Sequence, residues 1–289
     1  MVYQHPIIEV IRQRFSCRVY GAQPIEAGLQ RQLHDFMEPL RSGPLGAPAR
    51  FELVAATEQD PQPLRGLGTY GFIKGATGFL VGAVGPAGKN LEDYGYLLEA
   101  IVLRATDLGL GTCWLGGTFT KSSFAEKISA RPDELLPAVI SVGHIEDIEA
   151  AREGMIRRRV RADQRLAWAS LFFDQGFGAA LTPEAAEGYA TPLEMVRLAP
   201  SASNKQPWRV IRAGGLWHFY LQRTPGYRHS LLSNLVKTDD LQRVDLGIAM
   251  CHFELAAREA GLAGRWQVSD PALAVPDELT EYAVSWKPG

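Results

Sequence analysis

Cysteine is scarce in this sequence. Cys17, Cys113 and Cys251 are the 3 present, an odd number, widely separated and without any Cys-x-x-Cys spacing. This argues against a disulfide framework or a zinc site. The 6 histidines show no metal-ligand spacing, and adjacent Cys251 and His252 read as core. Excess charge is missing too. With 30 Lys and Arg against 32 Asp and Glu, the net charge of −2 recruits neither nucleic acid nor an anionic membrane. The longest apolar stretch, Ala76 to Ala87, is broken by glycine and too short to span a bilayer. Met1 to Pro6 lacks the basic and apolar regions of a signal peptide. A cytoplasmic protein with no nucleic-acid or membrane partner is the expectation. No Gly-x-Ser-x-Gly occurs, against the common α/β-hydrolase arrangement. Gly66, Gly68 and Gly71 match Gly-x-Gly-x-x-Gly, but no strand pattern precedes them and no helical pattern follows, so a dinucleotide fingerprint is rejected.

What is present is ordinary globular composition. At 46% hydrophobic, 289 residues can build a substantial core, as one large domain or two small ones. Pro6 to Gln13 and Pro24 to Met37 predict helices, the second with Leu29, Leu33 and Phe36 at helical spacing. Arg50 to Ala56, Gly78 to Val84, Thr112 to Leu115 and Pro137 to Gly143 predict strands. Asp93 to Leu108 carries the clearest apolar stripe, through Tyr94, Leu97, Leu98, Ile101, Val102 and Ala105, and ends at Gly109, a typical C′ residue.

Asp245 to Ala260 repeats that theme, with Gly261 after it. Subtracting, 245 − 93 = 152. The same offset carries Gly95 to Gly247, Leu103 to Leu255, Ala105 to Ala257, Gly109 to Gly261 and Trp114 to Trp266. One unbroken offset across a helix, its cap and the following strand suggests an internal duplication; two unrelated amphipathic helices with glycine caps are the alternative.

Three stretches could carry chemistry. Ala199 to Trp208 packs Ser201, Ser203 and Asn204 between Pro200 and Pro207, after a helix over Thr191 to Leu198 and before a strand starting at Arg209. Such a loop suits a flat polar ligand, and equally a plain helix-to-strand connection. In Arg14-Phe15-Ser16-Cys17-Arg18, the arginines converge if the first helix persists, making an anion cradle; the alternative is a solvated helical turn. Gly116 and Gly117 let a backbone approach a ligand closely. A basic run from Arg157 to Arg165 is a solvated face or a local phosphate site. Leu40 to Ala49, the first-half counterpart of the Ser/Asn loop, lacks the amide residues, and no Arg-x-Ser-x-Arg precedes Thr182 in the second half. Each half keeps what the other lacks.

These stretches together resemble the FMN-dependent nitroreductase superfamily, in particular its branch with two family-like halves in one chain. Arg14 to Tyr20 is similar to its N-terminal Arg-x-Ser-x-Arg motif, Ala199 to Trp208 to its Pro-Ser-x-x-Asn-x-Gln-Pro-Trp loop, Leu108 to Gly117 to its glycine turn over the flavin, and Asp163 to Trp168 to its phosphate-holding element. The resemblance implies an α+β fold, a nitroreductase-like α/β/α sandwich with mixed, mainly antiparallel sheets. It implies two pseudo-repeat halves, 1–174 and 175–289, that mimic a homodimer and form one compact monomer. It implies FMN as cofactor, held by Arg14, Ser16, Arg161 and Arg165 at the phosphate or ribityl oxygens and by Arg18 near N1 and C2=O. Pro200, Ser201, Ala202, Asn204 and Gln206 would reach it from the second half, and Trp114, Leu115, Gly116 and Gly117 would cover its N5 edge. Lys74 would lie near the pyrimidine edge. The implied activity is ping-pong hydride transfer from NADH or NADPH to a nitroaromatic, quinone or similar small-molecule electron acceptor, with the flavin and no protein nucleophile doing the chemistry. The alternatives are a flavin- or ligand-binding protein without significant turnover and a duplicated scaffold without a ligand. Asp163 stands where many members have a basic residue, and Gly116 where some have an acidic one.

Overall fold

A computed structural model of the chain describes residues 2–57, 60, 62–153, 163–226 and 239–289. Helices α1 (Ile7–Gln13) and α2 (Ala27–Met37) lead into strand β1 (Ala49–Ala55). Then come β2 (Gly78–Val84), α3 (Asn90–Asp107), β3 (Gly111–Leu115), α4 (Lys121–Lys127), β4 (Val139–Gly143) and α5 (Ile148–Arg152). The remaining elements are β5 (Phe172–Asp174), α6 (Ala190–Leu198), β6 (Trp208–Ala213), β7 (Leu216–Gln222), α7 (Leu241–Glu259), β8 (Gly264–Gln267) and β9 (Thr280–Pro288).

The strands form two sheets. The first has the order β1-β2-β4-β3, antiparallel throughout. The second has the order β5-β6-β7-β9-β8, antiparallel except for the β5–β6 pair. Without β5 the two orders are the same, element for element. Alternation on β2 shows why the first sheet is buried on both faces: Leu80 and Val84 join the main core, while Phe79, Val81 and Ala83 pack in a second cluster with Phe124 of α4. Helices therefore cover both faces of this sheet. The boundary expected at 174 keeps β5 with the first half, while its ladder lies in the second sheet.

The most extensive packing joins α3 to α7. Every residue of α3 except Thr106 is buried, so the apolar stripe read from the sequence is only the side facing its own sheet. The other side meets α7, and glycine permits it. A Cβ on Gly95 would run into the carbonyl oxygen of Val244, and one on Gly247 into that of Glu92. Glu92 and Val244 are themselves 152 apart, as are Gly95 and Gly247. The crossing is thus reciprocal, the pattern a two-fold axis gives. Both helices end as the sequence predicts: Gly109 and Gly261 take φ of 80° and 75°, which lets Leu110 N–H and Leu262 N–H bond back to Ala105 and Ala257.

One helical start needs correction. The helix expected from Pro24 starts at Ala27, with Glu26 as its N-cap. The first helix ends at Gln13 as expected, so it does not persist to Arg18: Arg14 is already extended with φ −60° and ψ 129°.

Candidate functional site

Beyond Arg14 the chain runs along two neighbours: Ser16 bridges Thr112 of β3, and Val19 bridges Lys74. In extended chain, alternate residues share a side. Arg14, Ser16 and Arg18 line one cavity, joined by Phe15, whereas Cys17 is fully buried in the core behind. The arginines converge by the two-residue period of extended chain, not by the helical period that the sequence suggested.

The cavity measures about 630 Å³, within the usual range for small-molecule sites. The first half supplies Arg14, Phe15, Ser16, Arg18, Phe72, the run from Trp114 to Thr118 and Ala138. The second supplies Pro200 to Asn204 and, from α7, Leu241, Val244, Asp245 and Ile248. Asp163 and Arg165 line it as well. The guanidinium pair and the proline-bounded turn, nearly two hundred positions apart, share this one crevice.

The second-half loop is tightly specified. Ser203, Asn204 and Gln206 have φ of 51°, 55° and 49°, the left-handed region that non-glycine residues rarely occupy. Such strain persists only where the surroundings impose it, and the hydrogen bonds supply that constraint. Gln206 N–H donates to Ser201 Oγ at 2.8 Å, Ala202 N–H to Asp245 Oδ1 at 2.9 Å, and Leu166 N–H to Gln206 Oε1 at 2.9 Å. Arg165 donates from Nη1 to Asn204 Oδ1 and from Nη2 to Leu198 O, both at 3.1 Å.

Among the described residues that line the cavity, Arg14, through Nε and Nη1, and Asp245, through Oδ2, carry buried atoms without a hydrogen-bond partner. Burial pulls the Arg14 guanidinium below its ordinary value, though Glu99 opposes this. Burial pushes the Asp245 carboxyl well up, helped by Asp240 and opposed by the Ala202 N–H. Asp245 is therefore biased toward its neutral form, which lessens its opposition to the arginines of the cavity.

Beneath the floor lies Glu99 of α3, itself fully buried. Its Oε2 accepts from Trp114 Nε1 at 2.7 Å, its Oε1 lies 2.9 Å from His252 Nε2 of α7, and Arg14 Nε is 3.9 Å from that same oxygen. His252 Nδ1 sits 2.9 Å from Met195 O. Cys251 and His252 are core, as the sequence predicts. Trp266, the tryptophan 152 residues on, donates to buried Glu254 at 2.6 Å.

Most of the site residues expected from the sequence converge here, with three exceptions. Lys74 is exposed and touches the site only through backbone: its N–H donates to Arg18 O and its carbonyl accepts from Tyr20 N–H. Gln206 is buried behind its loop as a brace and is not among the lining residues. Arg161 lies outside the described residues, as do Arg157, Arg158 and Arg159. Sequence reasoning missed Asp245, Phe72 and Glu99. The 152-residue offset already paired Asp245 with Asp93 and was the available signal for the first.

The donor set is mixed. Guanidinium groups, hydroxyls, a carboxamide and glycine backbone stand against apolar walls of Trp114, Leu115, Val244 and Ile248. Orphaned buried nitrogens on Arg14 add unspent donors. Such a cavity fits a ligand with a flat heteroaromatic body and an anionic or carbonyl-bearing end. Among the described residues no group of three or more His, Cys, Asp or Glu could hold a metal ion, and no helix is long and apolar enough to cross a membrane.

Residues 6–257 match the family model described as "Putative TM nitroreductase". Comparison with curated proteins finds no match. Among solved structures, the chain is similar to a putative nitroreductase from Thermotoga maritima, with 19% identity and a TM-score of 0.60 over 99% of this chain and 95% of that one. At that identity the likeness shows the fold. A putative nitroreductase from Desulfovibrio desulfuricans, solved in complex with FMN, aligns over 50% of this chain and 88% of its own, with 22% identity and a TM-score of 0.39.

Proposed function

The chain belongs to the TM nitroreductase family, and from that premise we propose that it is an FMN-dependent oxidoreductase. Its reductant would be NADH or NADPH, and its acceptors nitroaromatics, quinones or related small molecules. The carrying observation is the single cavity lined from one half by Arg14, Ser16 and Arg18 and from the other by Pro200, Ser201, Ala202 and Asn204. We further infer that the halves descend from one duplicated unit, that each chain carries one such site, and that a monomer suffices to build it in the cytoplasm.

Arg14, Ser16 and Arg165 would hold the phosphate and ribityl oxygens, with Arg161 as a further basic residue. Pro200, Ser201, Ala202 and Asn204 would meet the ring and ribityl chain from the second half. Trp114, Leu115, Gly116 and Gly117 would close over the ring edge, mainly through backbone. Bound FMN would supply the capacity to take up and release a hydride. The chain supplies position and charge. Arg18 would stabilise negative charge on the ring, the kind of fixed donor whose loss typically costs about 3 kcal/mol of transition-state stabilisation. Trp114 and Leu115 exclude water on the first-half side, as Val244 and Ile248 do on the other. Asp245, biased toward its neutral form by burial, would oppose the arginines less than an ordinary carboxylate. Lys74 and Gln206 would act at one remove, through the backbone of Arg18 and the Ser/Asn loop.

The visible spectrum of the purified protein tests the cofactor: a yellow protein, or one that takes up FMN on titration, is expected, and failure to bind FMN ends the proposal. Anaerobic stopped-flow mixing with NADH and NADPH tests turnover. Rapid bleaching supports the oxidoreductase; a bound flavin that does not bleach leaves a ligand-holding protein.

A further inference from the structure

Two tryptophans occupy equivalent places in the halves, and Trp114 but not Trp266 lines the cavity of the site. Trp266 is buried among Phe219, Phe253 and Trp286, with its indole N–H on Glu254. Trp114 is half-buried on the cavity wall, with its N–H on Glu99. The two carboxylates do not correspond under the 152-residue offset. Glu254 maps back to Val102, one turn beyond Glu99, and Glu99 maps forward to Cys251. Shifting the carboxylate by a turn brings it beside His252 and Arg14.

The hydrogen bonds of this cluster fix its chemistry. A carbonyl only accepts, so His252 Nδ1 must donate its proton to Met195 O. An indole N–H only donates, so Glu99 Oε2 must accept from Trp114. The 2.9 Å contact between His252 Nε2 and Glu99 Oε1 then needs one proton between them. Every polar atom of the Glu99 carboxyl is thereby committed, one oxygen to each half of the molecule. Arg14, 3.9 Å away, gains a charge partner without a hydrogen bond.

We propose that Glu99 is a positioning residue for the cavity: it holds Trp114 in place through Oε2 and, through His252, ties that wall and Arg14 to the docking of the second half. The site then closes correctly only when α3 and α7 are packed. This rests on the FMN reading only for the choice of probe.

Glu99→Gln and Glu99→Met separate the alternatives. Gln offers an oxygen to Trp114 and an amide N–H to His252 Nε2, so it preserves both bonds without the charge. Met fills similar volume and offers neither. Two readouts apply: the indole 15N–1H resonance of Trp114 with its hydrogen exchange, and the FMN dissociation constant from fluorescence titration. In the wild type the Trp114 indole proton is expected to exchange slowly. Glu99→Gln should keep that protection and bind FMN within about 3-fold of wild type. Glu99→Met should lose the protection and bind FMN about 10-fold or more weakly, since small misplacements of site groups carry costs of this order. A folded Met variant with unchanged indole exchange and unchanged affinity overturns the proposal. Should it not fold, His252→Leu tests the clamp from the other half, with the same two outcomes deciding. If the wild type binds no FMN, the function proposed above fails, while the indole exchange still decides the role of Glu99.

Discussion

The two loops that precede β1 and β6 face aspartates at equivalent positions, Asp93 on α3 and Asp245 on α7. In the first half, Asp93 Oδ1 accepts from Leu45 N–H at 2.9 Å and Oδ2 from Ala47 N–H at 2.8 Å. Gly43 lies so close that a Cβ there would collide with the Asp93 side chain. That loop closes on its own helix and leaves no room. In the second half, Asp245 holds Ala202 N–H through one oxygen and leaves the other without a partner, and its loop borders the cavity. One scaffold thus carries a self-satisfied loop and a strained one. The strained loop is the one beside the arginines. A polar group left unmade inside a protein is costly, so the second loop is held by its context, through Ser201, Gln206, Asp245 and Arg165.

The sharpest way to break the comparison is to part the halves. Gly247→Val places bulk where the Glu92 carbonyl lies, and should cost at least about 3 kcal/mol in urea unfolding or prevent folding, since backbone cannot yield as a side chain can. A Gly95→Val variant should do the same from the other side; near-wild-type stability in either would refute the reciprocal crossing. Next comes the contrast between loops. Ser201→Ala should weaken FMN binding about 10-fold, measured by titration, while Leu45→Ala in the closed loop should leave it unchanged. Equal effects would remove the functional distinction between the halves.

Asp93 sharpens the comparison through pH. Its carboxyl is pushed up to about 6, chiefly by burial, with the Ala47 and Leu45 N–H groups opposing and Glu92 adding to the rise. A raised acid stabilises the fold below its unfolded value of 3.8, and that contribution is lost as pH rises through 6. Asp93→Asn should therefore flatten the stability profile between these values, by about 1–3 kcal/mol. Denaturant unfolding across pH 4 to 7 checks it, and an unchanged slope assigns the pH dependence elsewhere.

The smallest effects concern the strand edges. Arg50 on β1 holds Glu134 at about 2, through a bidentate bond with a carboxylate that is almost fully buried. A depressed acid contributes stability above its unfolded value of 4.5, lost as pH falls toward 2. Glu134→Gln should cost about 1–2 kcal/mol at neutral pH. Asp174→Asn, which breaks the more exposed Arg212 pair on β6, should cost under about 1 kcal/mol. Thermal denaturation ranks them, and the reverse order would show the edge of the second sheet to be the tighter one.

Much of this was legible in the chain itself. The long helices, their glycine caps and the fully buried β2 follow from patterns of a few residues. The offset of 152 paired Gly95 with Gly247, but that both stand at a helix crossing, where a backbone-to-backbone approach admits only glycine, was visible only in the packing. Illegible features were those in which neighbours choose between periods. Arg14 and Arg18 suit a helix by spacing, yet pairing with β3 and the Lys74 segment makes them extended. Lys74 and Gln206 lie beside the right backbone, but their side chains turn to solvent or to a bracing role. Glu99 lay off the apolar stripe among the other polar residues of its helix, and its value depends on His252, in another helix altogether.

The sequence by itself determined the long helices, the first-half strands, the family and the complementary inventories of the halves, since these rest on local spacing and side-chain chemistry. Tertiary structure alone decided which aspartate is satisfied, which loop closes and which tryptophan faces open space. Hydrogen-bond partners and burial are properties of groups brought together by folding, so identical residues at equivalent positions acquire different roles.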